Sequence, residues 1–351
     1  MHWKVLTPWW NSGGCSADDW IPGQISPPTQ HFDVVPAPYI HDPYRSRKNT
    51  STKQWCDYLL HALWGWLTAL RVREEPVGFV TAFPQLAVTV GLIKRVSRSR
   101  APVLAWCYNM GKTYEGLKGR LARFSLRGID LFVVHSRKEI QTYSEWLGLP
   151  PDRFVFVPLS VALIERTKPE DEDNPFVLAM GTANRDYRSL IDALEPLEYP
   201  TIIVAGEHAM AGLHVPKNVQ IRSGLTIHEC HELCERARVN VIPVRNQTTA
   251  SGQVTLLEAM MFGKAIVASR CPGTEDYVQD GVTGVLFPPG DIVALREAIR
   301  ALWTDSALRQ RLGSAAREYA VYNFTFRSVA PHMADLIGRL EAGARAGRKR
   351  D

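Results

Sequence analysis

Short, continuous apolar runs separated by helical patterns recur along the whole chain, and this alternation restricts the fold more than any other feature. In the first half the runs are Trp3–Leu6, Phe32–Val35, Gly78–Thr81, Val103–Trp106, Leu131–His135 and Phe154–Val157. In the second they are Phe176–Met180, Thr201–Ala205, Val219–Arg222, Val239–Val244, Ala265–Ala268 and Gly284–Phe287. Strands apolar on both faces belong to parallel sheets covered on each side by helices. Patterns such as Ser189–Leu194, Cys230–Ala237 and Ile292–Trp303 supply that cover. Two successive βαβ series predict an α/β chain of two Rossmann-like, doubly wound domains.

The boundaries follow from composition. The segment Glu165–Pro175, ERTKPEDEDNP, is charged and proline-containing and reads as a linker. It separates a first domain, 1–164, from a second, 176–322, and a helix with a basic tail occupies 323–351. The chain's 351 residues suffice for two domains of about 150 each. A hydrophobic content of 45% with 22% charged residues excludes a disordered chain or a fibre. A net charge of +5 favours anionic ligands or membrane surfaces but is too small to argue for nucleic acid. Six scattered cysteines read as reduced thiols of a cytoplasmic protein. No secretory leader is expected from MHWKVLTPWW, and the apolar run Tyr58–Leu70 falls short of the roughly 20 residues a spanning helix needs.

The stretch ASGQVTLLEAMMFGKAIVAS carries the most chemistry. A strand ending near Val244 leads through a polar loop, Asn246–Ser251, to Gly252, which opens a helix. Glycine lets a ligand approach the backbone, and the free amides near Gly252, Gln253 and Val254 can hold a diphosphate at the positive end of the helix dipole. Ser251 can add a hydroxyl. Glu258 stands seven residues further on, roughly 10 Å down the helix axis. That separation suits a carboxylate on ribose hydroxyls while the helix start holds phosphates. The bland alternative is an ordinary strand–loop–helix with a surface glutamate.

Together with CPGTEDYVQDGVTGVLFPPGD, this run resembles the donor-binding half of GT-B glycosyltransferases, and in particular the retaining family 4 of the group 1 glycosyl transferases. The resemblance spans Phe176 to about Tyr322 and is most specific from Ser251 to Asp291. It implies two domains facing a cleft, a nucleotide diphosphate sugar as co-substrate with no separate cofactor, a ribose role for Glu258, and diphosphate roles for Ser251, Gly252, Gln253 and Val254. One departure stands out. The family has a first glutamate eight residues before the second, where this chain has Ala250. Asn246, Gln247, Thr248 or Thr249 are the candidate substitutes. In MGTANRDYRSLIDAL the resemblance places a glycine and basic residues against the diphosphate. Gly181, Thr182, Arg185 and Arg188 fill those places, and a guanidinium binds phosphate oxygens bidentately. The bland reading of Arg185 is a surface pair with Asp186.

In the first domain, Trp9–Gly14 follows the first strand, and Gly13 and Gly14 can approach a phosphate or an acceptor. The string IDLFVVHSRKEIQTYSEW resembles the end of the GT-B acceptor domain and puts Ser136 at a strand end. Many relatives carry a histidine near Cys107–Gly111; here Asn109 is the nearest polar candidate.

Two tempting motifs are set aside. IHECHELC offers metal-ligand types, but Thr226 and Glu229 form a capping box and Cys230, Leu233, Cys234 and Ala237 share a core face. Asp171–Asp173 mimics a metal-binding Asp-x-Asp but sits in the charged linker. The sequence therefore predicts a retaining, metal-independent glycosyltransferase, with Arg185 and Asn109 as catalytic candidates, acting on a sugar or lipid-linked acceptor in polysaccharide or glycolipid synthesis. A sugar-nucleotide-binding partner subunit and a sugar-nucleotide epimerase are the alternatives on the same fold. Lys94, Arg95, Arg98, Arg100, Lys112, Lys118, Arg120, Arg123 and Arg127, with the aromatic run Trp55–Trp66, predict peripheral attachment to an anionic membrane at its cytoplasmic face.

Overall fold

The computed structural model describes residues 1–11, 19–26, 30–39, 51–71, 76–165, 168–245 and 248–348. The chain divides into two compact units, Met1–Val157 with Val329–Asp351, and Pro158–Ser328. Among the described residues each unit is built on a six-stranded sheet, and every strand pair is parallel.

The first unit runs β1 (His2–Asn11), β2 (His31–Ala37), α1 (Thr52–Leu70), β3 (Val77–Thr81), α2 (Pro84–Val96), β4 (Val103–Ala105), α3 (Gly116–Leu126), β5 (Leu131–Val134), α4 (Arg137–Leu147) and β6 (Phe154–Phe156). Its strand order is β2-β1-β3-β4-β5-β6. Local chemistry marks the helix ends. Ser51 and Gln54 close a capping box on α1, Pro84 sits where α2 has no N–H to satisfy, and Gly148 ends α4 in the left-handed region. The strand expected over Trp3–Leu6 extends to Asn11, with a register shift after Leu6.

The second unit runs β7 (Val177–Met180), α5 (Tyr187–Leu194), β8 (Thr201–Val204), α6 (Glu207–Met210), β9 (Val219–Arg222), α7 (Ile227–Arg236), β10 (Val239–Ile242), α8 (Gln253–Met261), β11 (Ile266–Ser269), β12 (Val285–Phe287), α9 (Ile292–Thr304) and α10 (Ser306–Asn323). Its order is β12-β11-β10-β7-β8-β9. Leu178, Met180, Leu256, Met260 and Ile266 pack one side of this sheet, and Val177, Ala179, Leu190, Ile203 and Ile299 the other. Strands apolar on alternate residues in both directions are what a two-faced core requires.

The division falls at 157/158 and 328/329 rather than within 165–175. That charged segment lies inside the second unit and is held there by ion pairs: Asp171 meets Arg236, Lys168 meets Glu232, and Glu170 meets Arg309. The last helix, α11 (Phe326–Arg348), belongs from Val329 onward to the first unit. There the Trp3 indole N–H donates to Glu341.

Candidate functional site at the switch of the second sheet

In an open parallel sheet a ligand binds beyond the carboxyl ends of the strands, where the winding reverses. In the second unit that point lies between β7 and β10, which are neighbours in the sheet although β8 and β9 come between them in the chain. The two loops leaving these strands are laced together. Asp186 N donates to Pro243 O at 2.9 Å, Arg245 N to Asn184 O at 2.9 Å, and Asn184 Nδ2 to Ser251 Oγ at 2.9 Å. The two motifs read separately in the sequence, around Arg185 and around Ser251, thus form one surface.

Gly252 is the N-cap of α8 at φ +87°, a conformation costly for a residue with a Cβ. A side chain there would also come within 2.9 Å of Ile242 and Val244. Gly252 has no side chain to cap α8, so the first-turn amides stand at the loop edge beside Ser251. Gly273, from CPGTE, lies so close to the Ser251 backbone that a Cβ would overlap it. This contact explains the glycine in that motif: it holds the loop that positions Ser251.

Arg185 is 7% exposed, and among the described residues no carboxylate pairs with it. Its Nε donates to Met180 O (2.9 Å), Nη1 to Ala183 O (3.0 Å) and Nη2 to Thr255 Oγ1 (3.0 Å). A guanidinium has five N–H groups, so one on each Nη remains beyond these bonds. The guanidinium lies flat against Gly181, and Nη1 is 3.6 Å from where a Gly252 side chain would start. Burial pushes its pKa down, with Tyr187 and Cys271 opposing the shift. A surface pair with Asp186 is ruled out, because Asp186 instead caps α5 through Ser189.

Glu258 is 8% exposed, and its Oε1 lies 3.2 Å from His231 Nε2 on α7. The bond to Glu258 raises the His231 pKa, burial opposing it. The Phe262 ring meets the imidazole edge-on. Sequence reading missed His231, because its link to Glu258 exists only once β10 places α7 beside α8. It missed Asn184 and Arg245 for the same reason; the one available signal was their adjacency to Arg185 and to the β10 loop.

The remaining candidates divide. Thr182, Arg188 and Val254 are exposed. The Gln253 side chain is turned inward, its Nε2 donating to Tyr277 Oη at 2.9 Å. Ala250 and Thr249 are buried and Thr248 is exposed, while Asn246 and Gln247 lie outside the described residues. Thr226 and Glu229 form both bonds of the capping box, and Cys234 is fully buried.

In the first unit, Asn109 is buried and its Oδ1 accepts from Gly111 N at 2.8 Å, which commits that oxygen to a turn. Ser136 is fully buried as the N-cap residue of α4. Gly13 and Gly14 lie outside the described residues. Of the aromatic run, Tyr58 is buried and Trp66 stacks on Phe79 at 4.3 Å, whereas Leu60, Leu63, Trp64 and Leu67 leave an exposed apolar stripe on α1. Leu117, Leu121 and Phe124 do the same on α3, and the Arg95 guanidinium covers Phe124. Lys94 is taken by Asp130 at 2.5 Å. No described helix is long and apolar enough to cross a membrane.

Comparison with known proteins places these features in context. Residues 162–319 match the family model for glycosyl transferases group 1. O-antigen chain mannosyltransferase C of Escherichia coli is 28% identical over 64% of this chain and 62% of its own length. Alpha-maltose-1-phosphate synthase of Mycobacterium tuberculosis is 28% identical over 66% of this chain and 60% of its own. The chain thus spans about 60% of the length of these relatives. Among solved structures, Anabaena HepE in complex with UDP-glucose superposes with a TM-score of 0.68 at 15% identity, covering 97% of this chain and 100% of the other. The fold is that of the GT-B proteins, and residues 162–319, within the second unit, are similar to the glycosyl transferases group 1 family.

Proposed function

We propose that this protein transfers a sugar from a nucleoside diphosphate sugar to an acceptor hydroxyl, with the second unit holding the donor. The observation that carries the reading is the buried Arg185 guanidinium, without a carboxylate partner among the described residues, beside the glycine-capped start of α8. A buried cation without a counter-charge is costly, and an arriving diphosphate supplies one. The two Nη hydrogens and the first-turn amides of α8 bind the phosphate oxygens, Ser251 adds a hydroxyl, and Glu258 accepts from the ribose hydroxyls. Thr182, after β7, and Arg188, in the first turn of α5, are exposed.

As the bond between the anomeric carbon and the diphosphate oxygen breaks, negative charge grows on the departing group. Arg185 and the amides are already in place to receive it, which is electrostatic catalysis by preorganised donors. The acceptor oxygen takes the vacated position, and its proton leaves with the phosphate oxygen. Retention of configuration and independence from a metal ion belong to this reading, as does placing the acceptor side, with Asn109 and Ser136, on the first unit. The HepE complex with UDP-glucose and the mannosyltransferase relative support a sugar nucleotide as donor. The exposed apolar stripes of α1 and α3 among basic residues support an acceptor presented at an anionic membrane surface. Ala250 favours the second reading, a sugar-nucleotide-binding partner subunit, because the carboxylate expected there for the sugar is absent.

A thermal-unfolding screen of UDP, GDP, ADP and their sugars tests the donor site. A diphosphate at 100 times its Kd stabilises the fold by about 2.7 kcal/mol. The nucleotide that shifts unfolding is then offered as its sugar, and product formation separates transferase from binding subunit. If no diphosphate of the three bases shifts unfolding, the donor assignment fails.

A further inference from the structure

We propose a second binding site, for a divalent transition-metal ion of the zinc type, on the first unit at the starts of β1 and β2. His2 and His31 are register partners across these strands, and Lys4 and Asp33 are the next pair on the same face. Side chains alternate along a strand, so the block of His2, Lys4, His31 and Asp33 points one way while Trp3 and Phe32 point the other. His31 Nε2 lies 3.0 Å from Asp33 Oδ1, and His2 Nδ1 lies 3.6 Å from Asp33 Oδ2. The two imidazole rings meet edge-to-face with centroids 4.6 Å apart. Ligand atoms of His2, His31 and Asp33 all fall within 4.8 Å of one another.

A tetrahedral zinc ion with bonds of about 2.0–2.2 Å holds neighbouring ligand atoms roughly 3.4 Å apart. Both imidazole–carboxylate distances are already near that value, so rotation of the imidazoles closes the site without moving the strands. Two imidazoles and one carboxylate are ligand types zinc takes, and they leave a fourth position for water. The His31 side chain is 64% exposed, which gives the ion a way in. Lys4 Nζ donates to Asp33 Oδ2 at 2.9 Å. Lys4 thereby orients the carboxylate as an outer partner, while its own charge opposes a dication and makes the site a reversible one. Among the described residues no other group of three histidine, cysteine or acidic side chains converges in this way, the IHECHELC helix included. The block stands at the amino ends of its strands, away from the carboxyl-end loops that carry Asn109 and Ser136. β2 is an edge strand whose sheet neighbour among the described strands is β1. A metal bridging His2 and His31 therefore ties that edge strand to its neighbour.

The test uses the tag-free 351-residue chain titrated with Co²⁺ as a spectroscopic probe, then with Zn²⁺ to displace it. One equivalent of Co²⁺ is expected to give the visible bands of a four-coordinate site, and Zn²⁺ to abolish them. His31→Ala and His2→Ala, which keep both strands, are expected to weaken Zn²⁺ binding by about tenfold or more. His228→Ala, on the IHECHELC helix, is expected to leave it unchanged. Zn²⁺ is also expected to raise the unfolding temperature of the wild type but not of His31→Ala. Absence of stoichiometric Co²⁺ binding, or binding that survives the His2→Ala/His31→Ala double variant, would overturn the proposal.

Discussion

The two sheets share an architecture but differ at the point where their winding reverses. In the second unit the reversal lies between β7 and β10, and both departing loops press a charged, glycine-floored surface together at Arg185, Ser251 and Gly252. In the first unit it lies between β1 and β3, where Trp9 packs edge-on against Phe83. The first unit instead places its distinguishing chemistry on the outer faces of α1 and α3, where apolar side chains are exposed among basic ones. The same fold therefore yields a cationic, glycine-floored surface in one copy and a surface of different character in the other. What separates them is which few residues the strand ends carry, not the strand order.

The sharpest way to break this contrast is to remove the charge at the second switch. Arg185→Ala is expected to lower transfer by about 10²–10³-fold, the scale for losing one preorganised donor to developing charge. A purely structural arginine would show up instead as lost stability with donor turnover intact per folded molecule, so kcat and the unfolding curve are measured together. Next in size is Glu258→Ala. Loss of hydrogen bonds to a charged acceptor is expected to weaken donor binding by about 1.5–3 kcal/mol. Calorimetric affinity unchanged from wild type would remove Glu258 from the ribose.

A smaller effect is expected on the first unit. Leu121→Asp and Arg120→Ala, made separately, should each reduce co-sedimentation with anionic liposomes at low salt and leave donor binding alone. Basic residues near such a surface contribute about 1 kcal/mol each, screened over a Debye length of about 8 Å at physiological salt. Wild-type protein that ignores anionic liposomes at low salt would leave a soluble acceptor as the better reading.

The smallest expected effect has opposite signs in the two units. His231 has its pKa raised by Glu258, so its contribution to stability is complete below about pH 6.5 and fades as pH rises through its folded value. His61, fully buried and bonded to Val35 O at 2.8 Å, has its pKa lowered by burial. Its contribution is present above about pH 6.5 and fades as pH falls. Amide exchange between pH 5.5 and 7.5 should show α1 loosening in acid. His231→Gln should remove the alkaline-side weakening around α7 and α8. An identical pH response in His231→Gln and wild type, with α1 unchanged in acid, would show that neither histidine is coupled to folding.

How far these regions could be read beforehand depends on the range of the interactions involved. The strands were legible because burial on both faces writes itself into consecutive residues, as at Val177–Met180. Gly252, the α8 amides and Glu258 were legible because a helix start and a carboxylate two turns on are local geometry. His231 was not, since nothing in IHECHELC says which neighbouring helix it will face. Nor was the inward turn of Gln253, whose partner Tyr277 is 24 positions away. The block of His2, His31 and Asp33 needs the register of two strands, which only pairing supplies. The boundary at 328/329 escaped for a related reason: a periodic pattern announces α11 as a helix but not the sheet it returns to.

That return has a consequence for how the molecule is made. Trp3 and Glu341, 338 positions apart, meet inside one unit, and the whole of Pro158–Ser328 is threaded between the halves of that unit. On a ribosome the first sheet is finished early but must wait for its last helix until the entire second unit has emerged. The second unit has no such delay, since all its strands are contiguous in the chain. Shortening the chain from its carboxyl end would thus injure the half that was synthesised first and spare the half synthesised last. Excising the first unit intact would require joining residue 157 to residue 329, an operation the early completion of its sheet makes practicable.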